Sequence, residues 1–324
     1  MSYSTGQQTQ VAGAPGQRRL SPAARLLVFL SDRFRPADFS RYADEQAYSR
    51  YQFGRAEITW NALLSRCLDV QGKSVVDLAC GEGGKTVFYS TLGPQRIIGI
   101  DCAREKVERA RHFAACRGAA DCRFELGFAE DSGLPAGEFD LVISEDGFEH
   151  FPDPEAVLCE AQRLLRDGGQ LLITFPPYWG PRGPHLGNFI RLPWPHLLFG
   201  WATMEQAVRH IAERMERQAT DRPARESPTE QAERELHQLH GFINRMSLRR
   251  FKRMLMAHEN WKLLRFHRFA GSRWALPFVL FRNMPLLAEL GGAALVLLEK
   301  SPGQRITRSD FYAPRTKLAA PRII

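Results

Sequence analysis

The sequence predicts an α/β fold in which a mostly parallel sheet carries helices on both faces. From residue 74 onward, short apolar runs of strand length alternate with longer segments of helical periodicity. A glycine-rich turn follows the first apolar run, where sheets of this kind bind ligands. Strands that alternate with helices pair in parallel, because each helix returns the chain to the same end of the sheet.

Composition and charge narrow the class of protein. The chain has 324 residues, of which 44% are hydrophobic and 25% charged, and this suits a globular protein with a full α/β core. Its net charge is +8, but the basic clusters lack the aromatic interleaving of a nucleic-acid reader. We therefore expect no specific nucleic-acid partner. Six scattered cysteines without a CxxC pair indicate neither a zinc site nor a disulfide framework.

The same features predict a cytoplasmic protein. The first residues have no apolar core of a signal peptide, and unpaired cysteines fit a reduced compartment. The apolar stretch at residues 274–299 is interrupted by charges and proline, which a membrane-spanning helix would not tolerate. It can instead rest on a membrane surface or against a lipid-like substrate. The sequence does not indicate an oligomeric state.

The predicted elements follow in chain order. Residues 1–20 are polar and rich in Gly and Gln, which predicts a disordered tail. Residues 21–72 form a helical block that ends at Gly72. Three helices and five strands come next, the strands being SVVDLA, RIIGID, CRFELGFA, EFDLVISED and QLLITFPP. The third helix, residues 152–169, has proline in its first turn and Gly-Gly at its end, as helix capping favours.

The alternation breaks after residue 178. Residues 179–246 contain a segment rich in Pro, Gly, Trp and His, then a charged helix and a polar stretch that we expect to be mobile. Over residues 247–300 the alternation resumes with a helix capped by Ser247, a strand, a short helix MPLLAELGG and a last strand. Residues 301–324 lack periodicity and are predicted to form a C-terminal tail.

The stretch ACGEGGKT, residues 79–86, has two interpretations. As a phosphate loop it would bind a nucleoside triphosphate through Lys85 and Thr86. However, Ala79 stands where the first glycine of that loop belongs, and the acid Asp77 just before it would repel phosphates. We therefore favour a turn that binds the nucleoside of S-adenosylmethionine (SAM), and we treat Lys85 as an ordinary residue of the following helix.

A SAM-binding turn requires close backbone approach and two acids. Gly81, Gly83 and Gly84 lack the Cβ atoms that would obstruct the approach of N–H groups. Asp77 ends the first strand. Asp101 ends the second strand 24 residues later, near the roughly 20-residue separation expected for an acid that binds ribose hydroxyls. Together they predict SAM as the cofactor.

Four segments in order resemble the class I SAM-dependent methyltransferases that modify small molecules. They are DLACGEGG, IIGID, AEDSGLPAGEFDLVISEDGFEHFPDPE and EAQRLLRDGGQLLITFPP, all within residues 74–178. The resemblance implies a Rossmann-like, seven-stranded, mostly parallel sheet whose last strand is antiparallel. It also implies a helical lid (21–72), a SAM-binding core (73–178), a substrate-recognition insertion (179–246) and the remainder of the sheet (247–300).

The resemblance also suggests which residues contact the cofactor. Two positions depart from the family pattern: Ala79 replaces the first glycine of the turn, and Phe128 replaces an acid that often faces the adenine amine. Glu145 is expected to orient the amino end of the cofactor or the acceptor. The predicted cofactor-binding residues are Asp77, Ala79, Gly81, Gly83, Asp101, Cys102, Phe128, Ala129 and Glu145.

Three histidines are the predicted catalytic residues. Methyl transfer to a hydroxyl needs a base that is neutral near pH 7, which favours histidine. His150 follows the fourth strand at the ligand-binding edge. His185 and His196 lie in GPHLGNF and LPWPHLLF, which resemble a pattern of some bacterial family members. The alternative, loop histidines bonded to backbone carbonyls, stays open. No ligand spacing supports a metal, so no metal site is predicted.

Aromatic residues predict the acceptor site. Tyr48 and Tyr51 lie in the predicted lid, where an aromatic face can favour a sulfonium by cation–π attraction. Tyr178 and Trp179 follow the fifth strand, and His240 begins the return to the core; these five are the predicted substrate-binding residues. Two lid arginines, Arg50 and Arg55, are expected to reach the cofactor carboxylate.

These features predict a SAM-dependent methyltransferase that acts on a small or lipid-like molecule. The histidine-rich insertion favours transfer to oxygen, in bacterial secondary or glycan metabolism. A second interpretation is C-methylation of an isoprenoid, prenyl diphosphate or quinone-like acceptor, for which the arginine surplus would be useful. A third interpretation, outside enzymes, is a SAM-binding partner protein without catalytic activity. An intact turn indicates SAM binding but does not indicate turnover.

Overall fold

The computed structural model describes residues 19–34, 43–218, 226–241, 243–269 and 289–312. Its strands are β1 (Ser74–Leu78), β2 (Arg96–Asp101), β3 (Cys122–Leu126), β4 (Phe139–Glu145), β5 (Leu165–Phe175), β6 (Glu259–Phe269) and β7 (Ala293–Arg305). The helices are α1 (Pro22–Phe34), α2 (Ala47–Thr59), α3 (Gly84–Ser90), α4 (Arg104–Cys116), α5 (Pro154–Leu164), α6 (Pro195–Leu198), α7 (Trp201–Gln218), α8 (Pro228–Gly241) and α9 (Leu248–Ala257). A π-helical turn (Trp60–Leu64) extends α2, and a 3-10 helix (Arg308–Phe311) follows β7.

The seven strands form one sheet in the order β3-β2-β1-β4-β5-β7-β6. Strands β1 to β5 pair in parallel, and β7 lies antiparallel between β5 and β6. The chain order reverses between β1 and β4, which opens a crevice at the carboxyl ends of these strands. This topology confirms the predicted Rossmann-like fold with a seven-stranded, mostly parallel sheet.

The central strands are apolar on both faces because helices cover both. All five residues of β1 are buried. Val76 and Val142 pack in a core that also contains residues of α5 and α9, whereas Val75 and Leu141 pack on the side of α3 and the π-helical turn. Burial of one such side chain contributes about 1.5–3 kcal/mol, so the two layers hold the carboxyl edge of the sheet in place.

Strand β5 begins earlier than the sequence predicts. The predicted helix over residues 152–169 ends at Leu164, and the following residues belong to β5. Leu165 pairs with Phe139, after which the register with β4 shifts. Gly168 has φ 79°, in the left-handed region, and so allows the irregular backbone that such a shift requires.

A second apolar core lies in the cap, which consists of α1, α6, α7, α8 and the loop of residues 178–194. Leu27 of α1 packs in the same cluster as Ile211 of α7 and Leu236 of α8. Arg214 of α7 also forms two hydrogen bonds to Asp32, at 2.6 and 2.8 Å. Thus α1, which we predicted within the lid, packs with the insertion, and α2 stays as the predicted lid.

Some predicted segments differ from the structure or lie outside it. Residues 1–18, 270–288 and 313–324 are outside the described residues, and with them most of the predicted helix MPLLAELGG. The polar stretch that we expected to be mobile ends inside α8, because Ala232 and Leu236 dock on α7. Residues 301–305 continue β7 rather than forming a tail. Across the described ranges, no helix has the length and apolar character needed to span a membrane.

Candidate cofactor and acceptor site

The glycine-rich turn between β1 and α3 has no room for a side chain at Gly83. Gly81 and Gly83 have φ values of 59° and 74°, in the region that favours glycine. A Cβ atom on Gly83 would lie 2.7 Å from Ala110 Cβ and 2.8 Å from the ring of Phe124. Ala79 also has a positive φ, 63°, which costs on the order of 1 kcal/mol for a residue with a Cβ. The turn is therefore held in a strained backbone conformation.

Asp101 is placed beside this turn at the end of β2. Its Oδ2 accepts a hydrogen bond from Gly81 N–H at 2.9 Å, and its Oδ1 accepts one from Ala103 N–H at 3.0 Å. Each carboxylate oxygen can still accept a second hydrogen bond. These acceptor positions therefore fit a ribose whose two hydroxyls donate to one buried carboxylate, as the sequence predicts for the SAM nucleoside.

Thr86 and Asp77 form a buried pair under the turn. Thr86 Oγ1 donates to Asp77 Oδ2 at 2.6 Å. Burial raises the pKa of Asp77 to about 7, against the hydrogen bond from Thr86, which lowers it. In a phosphate loop this hydroxyl would face a metal ion; here it faces a carboxylate, which supports the SAM interpretation.

Lys85 also faces acids. Its Nζ lies 2.6 Å from Asp146 Oδ2 and 3.4 Å from Glu145 Oε2, and it donates to the backbone oxygen of Glu145 at 3.3 Å. Burial lowers the pKa of Lys85, but the two carboxylates outweigh that effect and raise it above its usual value. Tyr89 OH donates to Glu145 Oε1 at 2.8 Å. Lys85 is thus not an ordinary helix residue, and Glu145 is already bonded to two side chains of α3.

Helix α2 lies directly on the turn. Ser49 Oγ donates to the backbone oxygen of Glu82 at 3.0 Å. A Cβ atom on Gly84 would collide with the backbone oxygen of Ser49, so only glycine permits this approach. Arg109 of α4 lies 3.4 Å from Glu82 Oε1 and 4.0 Å from Glu45 Oε2, which ties the start of the lid to the core.

The lid carries the two tyrosines that we predicted at the site. The rings of Tyr48 and Tyr51 lie 6.3 Å apart, and Gln52 donates to Tyr48 OH at 2.8 Å. Arg55 lies over the Tyr51 ring at 6.0 Å. Arg50 instead pairs with Asp44 at 2.5 Å on the exposed side of the lid.

A small cleft lies on the α2 side of the turn. Its lining contains none of the turn glycines and consists of Arg55, Thr59, Lys85, Glu145, Asp146, Thr174 and Phe269. Arg55 is the one predicted carboxylate-binding arginine in this lining, and the charge of Asp146 helps to raise its pKa against the effect of burial. The cleft therefore lies beside the predicted nucleoside position rather than on it.

The predicted adenine contacts flank the end of β2. Cys102 is exposed, and the ring of Phe128 is 65% exposed, whereas Ala129 is buried. Phe128 pairs through its backbone with Asp131. The structure thus leaves an exposed aromatic face where the family pattern often has an acid.

A cluster of Glu149, His150 and His185 lies after β4. The backbone of Gly147 packs on the turn, since a Cβ atom there would lie 3.3 Å from Ala79 Cβ. Two residues later, Glu149 Oε1 lies 3.9 Å from His150 Nε2 and 3.7 Å from His185 Nε2. The two histidine rings have centroids 5.0 Å apart. The cap thus delivers His185 to the edge that carries His150.

Burial dominates the electrostatics of this cluster. Burial, and next the charge of Asp146, raise the pKa of Glu149 well above its usual value. Burial lowers the pKa of His185, while Asp146 opposes this effect. Sequence reasoning missed Glu149, although it directly precedes the predicted His150. An acid next to a candidate base at the end of a central strand is the signal that would have found it.

The other two predicted histidines lie elsewhere. The ring of His196 lies 5.3 Å from that of Tyr178 and stacks at 6.1 Å on Trp179. Burial lowers the pKa of His196 to about 4. His240 is exposed on α8, with its Nε2 3.0 Å from Glu205 Oε1. The structure thus groups His196 with two predicted substrate-binding aromatics and places His240 on the surface of the cap.

Comparison with known proteins decides the family of this core. Residues 69–222 match the sequence model of the family described as "Methyltransferase domain". The chain carries a methyltransferase domain. The match confirms the resemblance drawn from the motifs and, with the sheet order, the class I assignment of the methyltransferase domain. It also confirms SAM as the cofactor, which the turn and Asp101 predicted.

Two named relatives match about a third of the chain. A ubiquinone biosynthesis O-methyltransferase of Neisseria meningitidis is 32% identical over 107 residues, 33% of this chain and 45% of the relative. The tocopherol O-methyltransferase of Arabidopsis thaliana is 32% identical over 123 residues, 38% of this chain and 34% of the relative. The chain thus spans less than half the length of these curated relatives.

One solved structure illustrates the similarity in three dimensions. A SAM-dependent methyltransferase from Mesorhizobium loti superposes with a TM-score of 0.47 at 17% identity, covering 75% of this chain and 97% of that one.

Proposed function

We propose that the protein transfers the methyl group of SAM to an oxygen atom of a small or lipid-like acceptor. The observation that carries this proposal is the Glu149–His150–His185 cluster, which follows β4 next to the glycine-rich turn. Methyl transfer to a hydroxyl requires removal of a proton, and general-base assistance is worth about 10²–10⁴-fold in rate. Carbon acceptors that are already activated have less need of such a group.

Each part of the site has a role in this proposal. The glycine-rich turn and Asp101 bind the nucleoside, and α2 covers it and excludes water. SAM supplies a methyl group that is already activated. Alignment of the acceptor with that group contributes roughly 7–11 kcal/mol in favourable cases. His150 and His185 accept the proton of the acceptor hydroxyl, and Glu149 Oε1 lies 3.9 and 3.7 Å from their Nε2 atoms.

The acceptor that we propose is a hydroxyl on a ring or chain with apolar character. Trp179 offers a flat aromatic surface that is 43% exposed, and the buried Tyr178 ring packs against it at 5.0 Å. The exposed ring of Phe128 adds a further apolar surface at the same edge of the sheet. Relatives named for O-methylation in ubiquinone biosynthesis and of tocopherol agree with an acceptor of this class.

Binding is the first experiment. Calorimetric titration with S-adenosylhomocysteine should give micromolar affinity, whereas Mg²⁺–ATP should not bind, because Lys85 and Thr86 already face acids. The variant Asp101→Asn should weaken binding at least tenfold, since one charged hydrogen bond to a buried group is worth about 1.5–3 kcal/mol. Binding of ATP alone would overturn the cofactor assignment.

Turnover is tested with methyl-labelled SAM and matched acceptors. A prenylated phenol with a free hydroxyl should become labelled, and the same compound with that hydroxyl blocked as a methyl ether should not. A prenyl diphosphate serves as the carbon acceptor. Label on oxygen supports the proposal, and label on a carbon of either compound contradicts it in favour of C-methylation.

A further inference from the structure

We propose that Glu149, His150 and His185 bind a divalent transition-metal ion. One ligand atom from each side chain lies within 4.8 Å of the other two. Ligand atoms at about 2.1 Å from a shared metal stand about 3–3.4 Å apart. The distances of 3.7 and 3.9 Å from Glu149 Oε1 to the two histidine Nε2 atoms exceed this by less than 1 Å. Small rotations of the side chains therefore complete the site.

Glu149 supplies the second, independent observation. Its side chain is 2% exposed, and neither carboxylate oxygen accepts a hydrogen bond from the described residues. Nε2 of His185 is also buried without such a partner. A buried carboxylate in an ordinary ion pair is hydrogen-bonded, and separations of 3.7–3.9 Å are too long for that. A cation between these atoms would satisfy all of them.

The ligand set selects the kind of ion. Two imidazoles and one carboxylate leave open coordination positions and suit Mn²⁺, Fe²⁺ or Zn²⁺ rather than Mg²⁺ or Ca²⁺, which prefer oxygen. The negative charge of Asp146 acts on both Glu149 and His185. Asp146 is itself held by Lys85, which fixes its position beside the site. Ligand spacing along the sequence could not indicate this site, because 35 residues separate His150 from His185.

The inference rests on the proposed function and changes one part of it: in the metal-loaded site the two histidines are ligands, so they no longer accept the proton of the acceptor. A cation in this site would bind the acceptor oxygen and lower the pKa of its hydroxyl. The O–H bond breaks and its proton passes to solvent. The O–CH₃ bond forms as the S–CH₃ bond of SAM breaks, which gives S-adenosylhomocysteine and the methyl ether. The open coordination positions would then select acceptors with an oxygen ligand.

The test is metal binding by the full chain without SAM or acceptor. The protein, free of any histidine tag, is treated with a chelator and titrated with Zn²⁺ by calorimetry and with Mn²⁺ by electron paramagnetic resonance. We expect one ion per chain and much weaker binding of Mg²⁺. The variants Glu149→Gln and His185→Ala should each lower the affinity at least tenfold, with folding checked by S-adenosylhomocysteine binding.

His112→Ala is the matched control, because His112 is an exposed histidine whose Nε2 lies 3.7 Å from Cys116 Sγ. It should leave the affinity unchanged. Absence of binding, or equal affinity in Glu149→Gln and wild type, would overturn the metal site even if methyl transfer occurs. Metal binding that depends on Glu149 and His185 upholds the site, and absence of methyl transfer in that case would count against the proposed function alone.

Discussion

Lys85 Nζ lies 2.6 Å from Asp146 Oδ2, so an ion pair fastens the first turn of α3 to the residue that follows β4. The pair joins the two loops between which the cofactor is expected to bind. The residue after β4 has φ 58°, and the lysine holds it in that unusual conformation. The distance between the turn and the Glu149–His150–His185 cluster thus depends on the side chain of Lys85, which belongs to neither.

The first prediction concerns this ion pair. Lys85→Met should lower the free energy of unfolding by about 3 kcal/mol, because it leaves Glu145 and Asp146 without their cation. We place the loss at the low end of the usual range, since Asp146 is 36% exposed. Denaturant unfolding measures it. Lys106→Met is the control, since Lys106 is largely exposed and 4.0 Å from Asp101. A loss below 1 kcal/mol in Lys85→Met would contradict the prediction.

The second prediction compares two glycines of the same turn. Gly83→Ala should abolish S-adenosylhomocysteine binding and destabilise the fold, because the new Cβ would meet Ala110 and Phe124 at 2.7–2.8 Å. Gly81→Ala has a similar positive φ, but nothing lies within 4 Å of its Cβ. It should therefore cost only about 1 kcal/mol of stability. Calorimetry and thermal unfolding check both, and equal effects of the two variants would rule out the steric explanation.

The third prediction is a pH dependence from Asp77. Its pKa is about 7 in the folded protein, above the ordinary 3.8, so the folded state binds a proton that the unfolded state releases. The contribution of protonated Asp77 is complete below pH 3.8 and is lost as the pH rises through about 7, as much as about 4 kcal/mol in total. Asp77→Asn should remove this loss. The measurement is the difference in unfolding free energy between wild type and variant across pH 4–8, and a constant difference would refute it.

The fourth prediction separates the predicted catalytic histidines. His185→Ala should lower kcat by about 10²–10⁴-fold with little change in SAM affinity. His196 has a pKa of about 4 and is therefore a weak base, so His196→Ala should act mainly on KM for the acceptor through its contact with Trp179. Steady-state kinetics with a methyl acceptor distinguish the two. A larger loss of kcat in His196→Ala would reverse the assignment.

Much of the core could be predicted because its signals are local. The strands β1, β2 and β4 are short, mostly apolar runs between turn residues, and this pattern identifies them as strands of a parallel sheet. Gly83 and Asp101 follow from the close approach of backbone to cofactor, which restricts residue type. The N-cap of α9 was likewise predictable, since Ser247 Oγ accepts from Arg250 N–H at 3.1 Å.

The rest depends on contacts between distant segments. Lys85 pairs with Asp146 across 61 positions, and no local pattern indicates such a pair. His185 reaches Glu149 because the cap folds on α1, and that docking is decided by shape rather than by periodicity. Helix α8 is rich in charged residues, so its short apolar face could not be identified from composition. The contact of that face with α7 shows it.

The position of β7 has a consequence for synthesis of the chain on the ribosome. This strand comes latest among the described strands, yet it lies in the interior of the sheet, with Val296 paired to Ile173 on one side and Phe266 on the other. Until residues 293–305 have been translated, β5 and β6 each present an unpaired edge, which invites pairing with another nascent chain. The first five strands can assemble early, but the nascent protein remains prone to aggregation until β7 pairs with the edges of β5 and β6.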